Sequence, residues 1–257
     1  MAGLPSHFHH DTVAVGVPFD DSARADTKFL PDLGWYNSPS MPPLTPAPVQ
    51  HYLAGLRRDP HSHLAVIEAE GRAEGLPLVF PDTGALLHAL ARACGARRIL
   101  EIGTAIGYSS LWLASALPAD GMMISMERDA ARAARARAHL AAAGLGDRFS
   151  VILGDAAHFL HKVAGPFDLI FQDSDKHLYE PMLDRLVSLL RPGGLLVTDN
   201  TLWSGEVIPG FVAAPEKNAV ETMAIAAYNI RLAADTRLYT TLLQVGDGVS
   251  VSVKVDP

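Results

Sequence analysis

From Asp82 onward the chain alternates between short apolar runs and longer stretches of helical periodicity. Runs rich in Ile, Val and Leu occur at RRILEIG (97–103), MMISME (122–127), FSVILGD (149–155), FDLIFQD (167–173) and GLLVTDN (194–200), each followed by a helical pattern. Apolar runs without polar alternation belong to strands covered on both faces, so the five predict a parallel sheet with helices on either side. The pattern changes near the end. LYTTLLQV (238–245) and GVSVSVKV (248–255) are separated only by a tight turn around Gly246, Asp247 and Gly248, which predicts a hairpin. The expected fold is therefore α/β, a doubly wound sheet, mostly parallel, with one antiparallel strand near its C-terminal edge. Upstream, HYLAGLRR (51–58) and LAVIEAEGRAE (64–74) predict two short helices interrupted at Pro60. RDAARAARARAHLAAAG (128–144) predicts a helix capped at Asp129 and stopped at Gly144, with a solvated basic stripe.

Composition adds a boundary and several exclusions. NSPSMPPLTPAP (37–48) carries five prolines in twelve positions, which argues against helix and central strand. The expectation is an extended arm over 1–48 ahead of a single domain over 49–257. With 257 residues and 49% hydrophobic content the chain has material for a large core. A net charge of −7 excludes a protein whose affinity comes from neutralising phosphates, so no nucleic-acid partner is expected. Cys94 is the one cysteine, which excludes an intrachain disulfide and a thiolate zinc site and suits a reducing compartment. The stretch MAGLPSHFHHDT has no basic and apolar leader pattern, and no run of about 18 apolar residues occurs; a cytoplasmic protein with no membrane partner is expected. HFHH at 7–10, with His61 and His63 later, reads as a polar tail in preference to a metal tract.

In a doubly wound sheet, ligands bind outside the carboxyl ends of the strands. The turn after the first such strand reads EIGTAIGYSS (101–110), where Gly103 permits a tight turn and Gly107 removes a side chain where the next helix begins. The turn carries Thr104 and lacks the middle glycine of a dinucleotide fingerprint, and no P-loop lysine follows. The second strand ends at Glu127, placed to accept both hydroxyls of a ribose. The third ends at Asp155 and the small Ala156, which suit the edge and face of a flat base. An adenosine ligand without phosphates is the implication.

RRILEIGTAIGYSSLWLASALPADG, GDA, FDLIFQDSDK and LLRPGGLLVTDNTLWSG together resemble the cation-dependent small-molecule O-methyltransferases that use S-adenosylmethionine, the group of catechol and caffeoyl-CoA O-methyltransferases. The resemblance runs in consistent order from about Asp82 to Val255. It implies a class I methyltransferase, Rossmann-like fold in which Glu101, Gly103, Thr104, Ser109, Glu127 and Ala156 contact the methyl donor, and it makes a homodimer the expected assembly. Departures fall on the acceptor side: His177 and Leu178 replace a polar pair, Thr201 replaces an aliphatic residue, and GEVIPGFVAAPEKN (205–218) resembles the family's loop over the acceptor.

Asp173 follows the fourth strand, and Asp199 and Asn200 follow the fifth. Adjacent strands lie about 4.8 Å apart, so these ends can converge on one ion. Two carboxylates and a carboxamide are hard oxygen donors, which points to Mg²⁺, or Ca²⁺ or Mn²⁺, and away from zinc. Such an ion activates a phenol and fixes its orientation. The bland alternative for Asp173 is a cap on the following helix. Lys176 is read as the proton acceptor, the role the resemblance gives it, against a surface lysine at a helix start. Asp175 is left between orienting Lys176 and holding a water of the ion, and Trp203 between an aromatic wall beside the acceptor and core packing. The expected acceptor is a phenolic or catechol-like small molecule.

Overall fold

The computed structural model describes residues 46–211 and 219–255. Of the expected arm, residues 1–45 lie outside the described residues. The first helix, α1 (Ala47–Leu56), starts inside the proline-rich stretch, because Pro48 falls in its first turn, where no intrahelical N–H is required. α2 (Leu64–Glu74) follows as expected and ends on Gly75 in the left-handed region. α3 (Pro81–Ala93) is a helix not among the predicted elements.

The sheet then forms from β1 (Arg98–Ile102), β2 (Met122–Glu127), β3 (Phe149–Leu153), β4 (Phe167–Gln172), β5 (Leu190–Thr198), β6 (Leu238–Leu243) and β7 (Val249–Lys254). Its order is β3-β2-β1-β4-β5-β7-β6. The first five strands are parallel, β7 runs antiparallel to both neighbours, and β6 is the edge. The reversed strand therefore lies one place in from the edge. Between them run α4 (Tyr108–Ala114), α5 (Ala130–Ala142), α6 (Ala156–Phe159), α7 (Tyr179–Leu189) and α8 (Ala219–Ala234). Asp129 caps α5 as predicted, accepting from the amides of Ala131 and Arg132. The basic stripe of α5 is less solvated than expected: Arg135 pairs with Glu70 and Glu74 of α2, and Arg137 donates to the Val151 carbonyl.

Each strand feeds two cores. Leu169 and Phe171 of β4 pack with α3, α4 and α5, whereas Ile170 between them packs with α7 and α8, the period-two alternation of a doubly covered sheet. Among the described residues no helix is long and apolar enough to cross a membrane.

The order of strands reverses between β1 and β4, and the ladder carries on for one residue beyond the strand ends there. Gly103 N–H bonds to Met126 O (3.1 Å), Gly154 to Glu127 O (2.8 Å), Asp173 to Ile102 O (2.8 Å) and Asp199 to Gln172 O (3.1 Å). The sheet thus fixes the backbones of the predicted site residues in one row at the switch point, where such folds bind ligands.

Candidate functional site

Above that row lies a cavity of about 830 Å³. Gly103, Thr104, Ser109, Glu127, Asp155, Ala156, Asp173, Lys176, Asp199 and Asn200 all line it. Of the predicted site residues only Glu101 does not. It is fully buried, and its carboxylate accepts from the hydroxyls of Ser109 (2.7 Å), Ser110 (2.5 Å) and Ser125 (2.5 Å). Ser109 stands between it and the cavity. Burial pushes the Glu101 carboxyl up to about 7, against the three hydroxyl bonds that pull it down.

At the β1 to β3 end, packing dictates the glycines. A Cβ on Gly103, whose φ is 99°, would strike the carbonyl of Asp173, and one on Gly107 would press within 3.1 Å of Ala136 Cα on α5. The tight turn is therefore needed first by the neighbouring strand and helix. Thr104 turns its hydroxyl inward to Met126 O (3.0 Å) and Ser125. Glu127 receives one backbone N–H on each oxygen, from Ala105 (2.8 Å) and Asp129 (2.9 Å), which presents the remaining lone pairs to the cavity. Asp155 lines the cavity and also caps α6 through Ala157 N–H (2.8 Å).

At the β4 to β5 end, Lys176 Nζ donates to Asp173 Oδ1 (3.0 Å), Ser174 O (3.2 Å), the Tyr179 hydroxyl (2.8 Å) and Asn200 Oδ1. Asp173 caps no helix, since the turn that follows starts at Asp175. Asp175 turns away from Lys176 and pairs with Arg128 (2.5 Å). Trp203 lines the cavity with its ring 5.6 Å from Lys176 Nζ. Asp199 is 1% exposed, and its Oδ1 has no hydrogen-bond partner. Burial, then the facing Asp173, pushes its carboxyl well above the usual range. Among the described residues no group of three or more His, Cys, Asp or Glu side chains is placed to hold a metal ion; the predicted set has two carboxylates and one carboxamide.

Three contributors were not singled out from the sequence. Tyr179 bridges Lys176 and the Asp199 carbonyl (3.2 Å). Asp247, in the hairpin turn, lines the cavity. Leu78, Val79 and Phe80, between α2 and α3, form a further wall. His61 and His63 are not in a tail: His63 Nε2 meets His139 Nδ1 at 3.1 Å, and His139 Nε2 lies 3.1 Å from Glu70. HFHH lies outside the described residues, as do residues 212–218 of the predicted acceptor loop.

Comparison with known proteins gives a consistent result. The family model described as O-methyltransferase matches residues 71–255. A catechol O-methyltransferase of Niastella koreensis is 35% identical over 218 residues, covering 80% of this chain and 96% of that one. Caffeoyl-CoA O-methyltransferase 2 of Zea mays is 36% identical over 183 residues, covering 68% and 69%. Among solved structures, the O-methyltransferase TomG of Streptomyces achromogenes, involved in tomaymycin synthesis and solved in complex with SAM, is similar at a TM-score of 0.71 and 30% identity, covering 81% and 96%.

Proposed function

The chain belongs to the O-methyltransferase family, and from that premise we propose that it transfers the methyl group of S-adenosylmethionine to one hydroxyl of a catechol-like phenol with the help of a divalent cation. Glu127 accepts the ribose hydroxyls, Asp155 and Ala156 border the base, and Ser109 and the Gly103-Thr104 backbone border the methionine portion. Asp173, Asp199 and Asn200 hold the cation, most simply Mg²⁺. The observation that carries this reading is Asp199 Oδ1, a buried carboxyl oxygen at the cavity with no hydrogen-bond donor and with a second carboxylate facing it. Hard oxygen donors in that state suit a small dication.

A cation held there by Asp173, Asp199 and Asn200 would lower the pKa of an acceptor phenol and help orient it. Lys176 takes the proton of the acceptor hydroxyl. The oxygen then forms a bond to the sulfonium methyl as the carbon–sulfur bond breaks and its electron pair stays on sulfur. Trp203 and Phe80 bound the acceptor ring, and proximity and alignment do most of the remaining catalysis. The assembly proposed is a cytoplasmic homodimer, checked by light scattering.

Labelled S-adenosylmethionine with a panel of catechols, assayed with Mg²⁺ and after EDTA, tests the reading. Transfer that requires Mg²⁺ supports it, and full activity after EDTA overturns the cation. One observation favours a second reading: Lys176 already donates to Asp173 and Asn200, so its ammonium can balance the charge of Asp173 in an enzyme without metal dependence. That enzyme would methylate equally well in EDTA.

A further inference from the structure

The loop that follows β5 has an unusual backbone. Asn200, Trp203 and Ser204 all have positive φ, at 59°, 48° and 57°. Asparagine tolerates this region, but tryptophan and serine rarely adopt it unless the surroundings impose it. The surroundings here are the turn of the β6–β7 hairpin, 43 residues further along the chain at its closest bond. Thr201 N–H bonds to Gly248 O (2.9 Å), while Leu202 and Trp203 N–H both bond to Asp247 O (3.1 and 3.2 Å). The Asp247 carboxylate then accepts from the Ser204 amide and from the Ser204 hydroxyl (3.1 Å). Four consecutive residues of the loop are therefore held from one turn, the last of them through a side-chain acceptor.

The turn has no room to slide. A Cβ on Gly248 would lie 2.5 Å from Leu202 Cγ, and one on Gly246 would lie 2.5 Å from Thr83 Oγ1 on α3. The hairpin turn is a wedge between α3 and the loop. Asp247 is 5% exposed, so a carboxylate at this place is costly unless its bonds are made. The same loop carries Asp199 and Asn200 at one end and Trp203 at the other.

We propose that Asp247 is the positioning residue of the acceptor half: through Ser204 it locks the 199–204 loop in its left-handed form and so sets where Asp199, Asn200 and Trp203 stand. The role rests on the methyl-transfer reading above for its effect on turnover, but the locking itself does not. Asp247→Ala removes the acceptor for Ser204; Asp247→Asn keeps one acceptor oxygen and no charge.

Hydrogen exchange of the full chain, followed over residues 199–206 and over β1 to β3, reads the lock directly. Asp247→Ala is expected to lower protection of 199–206 by about tenfold or more, Asp247→Asn to restore most of it, and both to keep protection over β1 to β3 and wild-type affinity for S-adenosylmethionine in calorimetry. With catechol and Mg²⁺, kcat falls in Asp247→Ala and recovers in Asp247→Asn. Unchanged protection of 199–206 in Asp247→Ala overturns the proposal. So does equal loss of protection in both halves, which would make the residue a general structural element. If wild type methylates no catechol, the methyl-transfer reading fails, and the exchange result alone decides the lock.

Discussion

The two halves of the cavity are built on the same sheet edge and solve opposite problems. In the β1 to β3 half the acids are satisfied by the protein itself: Glu127 holds two backbone amides and Glu101 three serine hydroxyls. In the β4 to β5 half, Asp173 and Asp199 face each other with one lysine, an oxygen of Asp199 has no partner, and Asn200, Trp203 and Ser204 of the following loop are in the left-handed region. One half is complete before any ligand arrives. The other is electrostatically unfinished, and neighbours hold it in that state. Under the proposed function, the donor's adenosine portion needs little more than shape and a few hydrogen bonds, whereas deprotonating a phenol would need charge held ready at the reacting oxygen.

The largest break in that comparison is Asp199→Ala. It should lower methyl transfer by about a thousandfold, the several kcal/mol that a charged site contributes to a developing oxyanion. Affinity for S-adenosylmethionine, measured by calorimetry, should stay within about threefold. If donor affinity falls in step with turnover, the halves are not independent and the comparison fails.

What the sequence made legible follows from the same division. All five parallel strands could be read from continuous apolar runs, and the acids just past their ends pointed to the cavity without any tertiary information. Glu101 shows the limit. Its place at the end of an apolar strand, Ile99 to Ile102, is visible, but its three serines come from α4 and β2, so its seclusion from the cavity was not. Asp175, left by the sequence between orienting Lys176 and holding a water of the ion, pairs instead with Arg128, 47 residues earlier. Asp247 read as a turn residue between two glycines, because its partner Ser204 lies across a crossover helix and the hairpin. α3 went unpredicted although Pro81 stands at its start and Leu87 and Ala91 recur at helical spacing on its buried face.

A smaller effect sharpens the claim that the donor half is complete. The Glu101 carboxyl sits at about 7 in the folded protein, against a usual value of 4.5. The folded chain therefore binds this proton more tightly than the unfolded chain does, and stability from this group is greatest below 4.5 and declines as pH rises to about 7. The expected loss is on the order of 3 kcal/mol. In Glu101→Gln that decline should be absent, so the stability difference between variant and wild type, measured by urea unfolding at pH 4.5, 6 and 8, should change with pH by that amount. A difference that does not change with pH would mean that the serines hold the carboxylate ionised throughout.

The smallest effect concerns the join between the halves' chemistry and their scaffold, Tyr179. Its ring is fully buried edge-on to Tyr228, with centroids 5.3 Å apart, so Tyr179→Phe keeps the packing and removes one hydroxyl. That hydroxyl accepts from Lys176 Nζ and donates to the Asp199 carbonyl. Burial and the charges of Asp173 and Asp199 hold its pKa well above 10, so it stays a neutral bridge at any working pH. Without it Lys176 keeps Asp173, Ser174 and Asn200 and its place over the ring, but loses its hydrogen bond to α7. The outcome expected of Tyr179→Phe is a kcat about tenfold lower, with KM for S-adenosylmethionine unchanged and the melting temperature within a few degrees. A variant with wild-type kcat would show that Asp173 and Asn200 alone orient the lysine. One that loses donor affinity together with kcat would show that α7 braces both halves, and the division drawn between them would have to be given up.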